Sequence, residues 1–411
     1  MINNLLKCLL FIFFPLFTYS QGTWTTYNYT NSSLPDNTVR CITIDAGNVK
    51  WIGTDYGMAS FDGVNWTVYD MTNSGLPDNA VRAITIDSAN VKWIGTQNGG
   101  LTKFDGTNWT TWNTSNTQLS ADYVRGIAID SAGKEWCATI GGLAVFDGSD
   151  FTVYDFFNSN LASNSISAVK IRDDQQKYIC TINGGLTIVT DDTLFTTYTI
   201  ANSGFPDNSI SGIDFDNSGN AWLSAPAGGL IAYLGAGSWI NYKTTNSAIP
   251  SNSLSCVKFD AQQNLWIGTQ GDGIIKKTGF SYAQYTSINS GLPDNYINCI
   301  TIDDSGLVWI GTSVAGLVCL NTLTGIKDFE ATNSFAVYPN PAKDFITINN
   351  GYEKIISLSI INAEGKIINT IINSLTDSYT HVDISAYSGG VYFVKTVTLS
   401  GKILRTRFVK L

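Results

Sequence analysis

Histidine is nearly missing from this sequence: His381 stands alone among 411 residues. The first 380 residues therefore lack the imidazole base of a Ser-His or Cys-His catalytic pair. No glycine-rich phosphate loop occurs, and no Cys or His spacing fits zinc ligands, so neither a metal nor a cofactor is expected. Charged residues make up only 14%, and basic ones are scarcer than acidic ones. Residues 21 to 334 carry 15 basic and 28 acidic side chains, a balance of −13 that repels phosphate backbones and excludes nucleic acid as a partner. Beyond residue 20 no run reaches the roughly 18 apolar residues of a membrane helix, so no transmembrane segment is expected.

What is abundant points to strands and tight turns. The chain has 38 Gly, 11 Trp and 19 Tyr, and 44% of it is apolar, enough to build a core. Lys7, the apolar run Leu9 to Phe17 and the small Ser20 before Gln21 read as a removable signal peptide over residues 1 to 20.

Internal repetition organises the chain beyond residue 20. Trp51-Ile-Gly-Thr54 recurs as Trp93, Trp136, Tyr178, Trp222, Trp266 and Trp309 variants, 42 to 44 residues apart. Seven such units over residues 21 to 330 predict a seven-bladed β-propeller. In the first unit the strands are predicted as Val39 to Ile44, Val49 to Thr54, Met58 to Phe61 and Trp66 to Tyr69, with Asp62-Gly63 turning the last hairpin. The array opens on a lone last-strand segment, Trp24 to Tyr27, while the seventh unit lacks one, so the N-terminus is expected to complete the final blade.

Features present in every unit are read as architecture. Asp45, Asp87, Asp130, Asp216, Asp260 and Asp303 precede the repeat aromatic by six residues and are expected to form turns; Arg172 replaces them once. Paired aromatics such as Trp66 with Tyr69 are expected to pack between blades. Cys41, Cys256 and Cys299 share a position with Ala83, Gly126, Ala168 and Gly212, which marks a small packing site rather than a disulfide framework.

The pattern Trp-Ile-Gly-Thr, Gly-Leu, Phe-Asp-Gly over residues 22 to 325 resembles the two-component regulator propeller repeats. That family often supplies the extracytoplasmic sensor of a membrane kinase with carbohydrate as suspected ligand, but no kinase or membrane segment is found in this sequence. After a polar junction at 331 to 335, residues 336 to 411 carry Val337-Tyr-Pro-Asn-Pro-Ala342, Asn362-Ala-Glu-Gly-Lys366, Asp383-Ile-Ser-Ala-Tyr387, Gly389-Gly-Val-Tyr-Phe393 and Arg407-Phe-Val-Lys-Leu411. This order resembles the type A sorting domain of the type IX secretion system. The resemblance implies a small Ig-like β-sandwich recognised by the translocon and then removed, with the product secreted or held on the outer-membrane surface. An ordinary adhesive or carbohydrate-binding sandwich is the competing reading of these residues.

A ligand site should lie where the repeats differ. Arg40, Arg82 and Arg125 open the first strand of units one to three, where the others have Ser167, Ser211, Ser255 and Asn298. Tyr123 and Tyr296 stand two residues before that position, and the loops after the repeat motif offer Tyr56, Gln97, Asn98, Gln270 and Asp272. Forked donors beside aromatic rings suit an acidic or neutral glycan, or a surface protein, at the channel mouth. The bland alternative is that Arg40 pairs with Asp36, Arg82 with Asp78 and Arg125 with Asp122. No catalytic set is assigned. A polysaccharide lyase or hydrolase, with Tyr123 as base beside Arg125, and a detached sensor partner stay open as other functions.

Overall fold

A computed structural model describes residues 22–322, 336–349, 355–362, 366–371, 379–398 and 403–411. The expected signal peptide at 1–20 and the junction at 331–335 lie outside the described residues. The chain divides into two compact units, 1–324 and 325–411.

Among the described residues, the first unit consists of seven four-stranded antiparallel sheets. The first sheet has strands a to d at Val39–Ile44, Lys50–Thr54, Gly57–Phe61 and Trp66–Tyr69. Strand a recurs at Val81–Ile86, Val124–Ile129, Ile166–Ile171, Gly212–Phe215, Leu254–Phe259 and Ile297–Ile302. Each strand a packs against strand a of the next sheet, and Ile297–Ile302 packs against Val39–Ile44, so the series closes into a propeller. In the seventh sheet, strand d comes from the other end of the chain: Thr23–Tyr27 pairs with Leu317–Asn321. Apolar side chains fill the gaps between sheets, as where Trp51, Met58, Val81, Ile94 and Phe104 form one buried cluster. Each contributes roughly 1.5–3 kcal/mol by leaving water.

The recurrent aspartates do more than turn the chain. Asp45 Oδ1 accepts the amides of Gly47 and Val49, both at 3.0 Å, which holds Val49 in the turn and starts strand b at Lys50, one residue later than the sequence pattern predicts. Asp45 Oδ2 accepts the indole N–H of Trp51 at 3.0 Å. The same indole bond joins Asp87 to Trp93, Asp130 to Trp136, Asp216 to Trp222, Asp260 to Trp266 and Asp303 to Trp309. A buried indole needs such an acceptor, since an unpaired buried donor costs about 1–3 kcal/mol.

A cation also lies over the strand b aromatic of every sheet, and it arrives from different places. Lys50, Lys92 and Lys177 reach across from strand b of the following sheet to Trp309, Trp51 and Trp136, at 4.4–4.8 Å from the ring centroid. Lys103 and Lys276 cover Trp93 and Trp266 from strand c of the same sheet. Lys277 covers Trp222 from the following sheet, and Arg172 covers Tyr178 where the turn aspartate is absent. The six cysteines among the described residues are free, and burial pushes the Cys41 thiol up to about 12. An added Cβ on Gly53 would stand 2.5 Å from Cys41 Sγ, which is why strand b needs glycine opposite that side chain.

The second unit is a two-sheet sandwich. Ala336–Tyr338, Phe345–Asn349 and Tyr379–Asp383 form one sheet; the other runs in the order Ile367–Ile371, Ile355–Asn362, Gly390–Thr398, Ile403–Lys410. Ile346, Ile348 and Val382 from the first meet Leu358, Ile360, Tyr392, Val394 and Phe408 from the second in one core. The strand Ala336–Tyr338 runs into the Tyr-Pro-Asn-Pro motif, whose prolines directly after it hide its strand character from sequence reading. Asn340 ties that motif to the last strand: its Oδ1 accepts Val409 N at 2.9 Å and its Nδ2 donates to Arg407 O at 3.3 Å. His381 faces Thr347, with Nδ1 2.8 Å from Oγ1.

Candidate binding surface at the propeller mouth

The arginine position is a β-bulge. The pairing of strands a and b slips between Val39 and Cys41, Val81 and Ala83, and Val124 and Gly126, leaving Arg40, Arg82 and Arg125 as the extra residues. The same slip isolates Ser167, Ser255 and Asn298. A bulge re-aims its side chain out of the regular up-and-down order, here toward the mouth of the ring.

At three of the four sheets with a short residue here, it ties neighbouring sheets together. Ser167 Oγ donates to Ile210 O at 2.5 Å, Ser211 Oγ to Leu254 O at 3.0 Å and Asn298 Nδ2 to Val39 O at 2.9 Å, in each case the carbonyl just before the next sheet's equivalent position. Arginine is too long for that bond. Its guanidinium extends over the mouth instead, and Arg40, Arg82, Gln97, Tyr123, Arg125 and Asn298 line a cavity of about 420 Å3.

The expected ion pairs with Asp36, Asp78 and Asp122 do not form. Asp36 accepts the Thr38 amide at 2.8 Å, Asp78 accepts Ala80 N at 3.2 Å and Asn98 N at 2.7 Å, and Asp122 accepts Thr114 N at 2.7 Å. Each is absorbed by loop backbone, before strand a or, for Asn98, between strands b and c. The carboxylate that the arginines use is Asp55, just past strand b. Its Oδ1 accepts Arg40 Nε at 3.0 Å and its Oδ2 accepts Arg40 Nη2 at 2.7 Å, while Arg82 bonds Asp55 and Gln97. Burial pulls the Asp55 carboxyl upward, but the bonds from Arg40 and Arg82 outweigh it and leave it below its ordinary value; Arg40 is raised in turn by Asp55. Sequence reading chose the adjacent Tyr56 and missed Asp55. The signal was there: of the residues that directly follow the repeat motif, Asp55 alone is acidic, against Gln97, Ile140, Ile182, Pro226, Gln270 and Ser313.

Arg125 is placed differently. Its guanidinium stacks 4.6 Å from the Tyr123 ring centroid and Nη1 donates to Ser165 Oγ at 3.0 Å. Among the described residues no carboxylate stands within 4 Å of it, so the arc of three guanidiniums faces one carboxylate. The structure thus brings Arg40, Arg82, Arg125, Tyr123, Gln97 and Asn298 together. Tyr56 and Tyr296 are exposed outside that set; Tyr296 bridges to Gln270 and lies against Gly271. Asn98 is held by Asp78, and the Asp272 backbone by Thr269 and Gln284.

A ring of four-stranded sheets followed by a sandwich is the arrangement of a propeller with an appended tail, and comparison with known proteins finds matches within both parts. Residues 336–410 match the secretion system C-terminal sorting domain family, and residues 291–313 match the two component regulator propeller family. In fold the chain is similar to the extracellular domain of a hybrid two-component system from B. thetaiotaomicron, with 20% identity, a TM-score of 0.64, and coverage of 95% of this chain and 57% of that one. It is also similar to PorZ, a surface component of the type-IX secretion system of Porphyromonas gingivalis, at 20% identity and a TM-score of 0.61, over 94% of this chain and 60% of that one. The chain therefore spans less than two thirds of either. Virginiamycin B lyase from Staphylococcus aureus shares 15% identity and a TM-score of 0.59, over 73% of this chain and 99% of that one. No curated protein matches. The sorting domain marks the chain as secreted or attached at the cell surface; among the described residues no helix is long and apolar enough to cross a membrane.

Proposed function

We propose that the propeller is a surface binding module that takes an anionic ligand, an acidic glycan or an acidic segment of a surface protein, on the Arg40–Arg82–Arg125 arc. The observation that carries this reading is the charge imbalance at one mouth: three guanidiniums, one carboxylate, and an aromatic ring under the guanidinium that lacks a carboxylate. Planar forked donors bind carboxylate or sulfate groups in two-point fashion, and Tyr123 offers a stacking face for a sugar ring. Export through the sorting domain, by engagement of residues 336–411 with the type IX translocon, delivers this mouth to the outside.

The lyase reading is weaker. A histidine-to-alanine change yields a catalytically inactive S. aureus virginiamycin B lyase, whereas this chain's one histidine, His381, is in the tail. A glycan array probed with the propeller tests the proposal. Acidic glycans are expected to bind, with affinity falling at least tenfold in Arg125→Ala and less in Tyr123→Ala. Equal binding by all three proteins, or release of unsaturated sugars from an acidic polysaccharide, overturns it.

A further inference from the structure

Internal repetition exposes one residue whose charge is the reverse of what its position calls for. The first residue of strand b is Lys50, Lys92 or Lys177 in the first, second and fourth sheets. Each ammonium reaches the preceding sheet's aspartate, at 3.5 Å to Asp303, 3.7 Å to Asp45 and 3.9 Å to Asp130. In the third sheet this residue is Glu135. It is as buried as the lysines, 4% exposed, and its Oε2 has no hydrogen-bond partner.

We propose that Glu135 is a proton-operated latch between the second and third sheets, closed while its carboxyl carries a proton and loosened when it ionises. The lysines' pattern turns this side chain toward Asp87, so an ionised Glu135 meets a like charge in a dry interface. The charged and titratable groups around it are Asp87 and Lys103 from the second sheet and Asp130 and Cys137 from its own. Lys103 is the one cation among them, and it already lies over Trp93. Burial, opposed by a hydrogen bond from its own backbone N–H and by Lys103 and reinforced by Asp87 and Asp130, pushes the Glu135 carboxyl up to about 7 from an ordinary 4.5. A carboxyl raised on folding stabilises fully below its unfolded value, and that contribution is lost as pH rises through the folded one. The latch therefore operates between about pH 4.5 and 7, a range that an external medium can cross.

Urea unfolding of the full chain tests this, followed by tryptophan fluorescence, since all 11 tryptophans lie in the first unit. Relative to Glu135→Gln, the wild-type folding constant is expected to fall on the order of a hundredfold between pH 4.5 and pH 8.5. A ratio that stays constant overturns the proposal. Should Glu135→Gln fail to fold, carbon-13 NMR of carboxyl-labelled glutamate in the wild type decides, because the sequence has only four glutamates. A resonance titrating near pH 7 supports the latch; all four titrating below pH 5 sinks it.

Discussion

Asp55 shows how one side chain sets the chemistry of a surface. It neutralises Arg40 by a two-point bond and shares Arg82 with Gln97, so the arc keeps its surplus charge at Arg125. Because its carboxyl is held below the ordinary value, Asp55 contributes stability above pH 3.8 and loses it as pH falls lower. Asp55→Asn is expected to cost about 1 kcal/mol at pH 7, the modest figure that suits a partly exposed pair, and much less near pH 2. Chemical denaturation at the two pH values checks this. The arginines themselves were legible in the sequence because they break the repeat. Their partner also breaks the repeat, as the one acidic residue after the motif, but Asp36 and Asp78 are closer in sequence and the bulge decides which way the guanidiniums turn.

At the scale of the strand and its turn, the Asp–Trp unit is the recurrent fastening. Asp260 accepts the amides of Gln262 at 3.0 Å and Asn264 at 2.8 Å, and takes the indole N–H of the fully buried Trp266 at 3.0 Å. Asp260→Ala orphans these three donors and the Asn264 side-chain amide, and is expected to lower stability by about 2–3 kcal/mol, while Asp260→Asn, which keeps an acceptor, loses less. Thermal melts of the two variants separate the effects. The turn role was readable from spacing. The bond to the indole was not, because it depends on the strand folding back to lay Trp266 beside a residue six positions earlier. The cation over each aromatic was hidden for another reason: it is supplied from strand b, strand c or the turn, so no single column of the repeat records it.

For the whole molecule, closure rests on five residue pairs between Thr23–Tyr27 and Leu317–Asn321. Trp24 packs 5.9 Å from Tyr285, and an added Cβ on Gly291 would strike its ring, so the strand is also keyed to the sixth sheet. Removal of residues up to Asn28 is expected to leave Leu317–Asn321 as a bare edge and to give a protein that melts lower and aggregates, which light scattering on heating would register. A monomer with unchanged melting would refute this account of closure. The ring and its chain-end exchange could be inferred from periodicity alone, since one surplus strand and one missing strand stand at opposite ends of the array.

That exchange also decides how the propeller bears load. Among the described residues, Leu317–Asn321 is the last strand before the tail and is flanked on both sides, by Val308–Thr312 and by Thr23–Tyr27. A pull directed along this strand loads both neighbours at once. Both ladders then share the load in shear, where an edge strand paired on one side would offer only one.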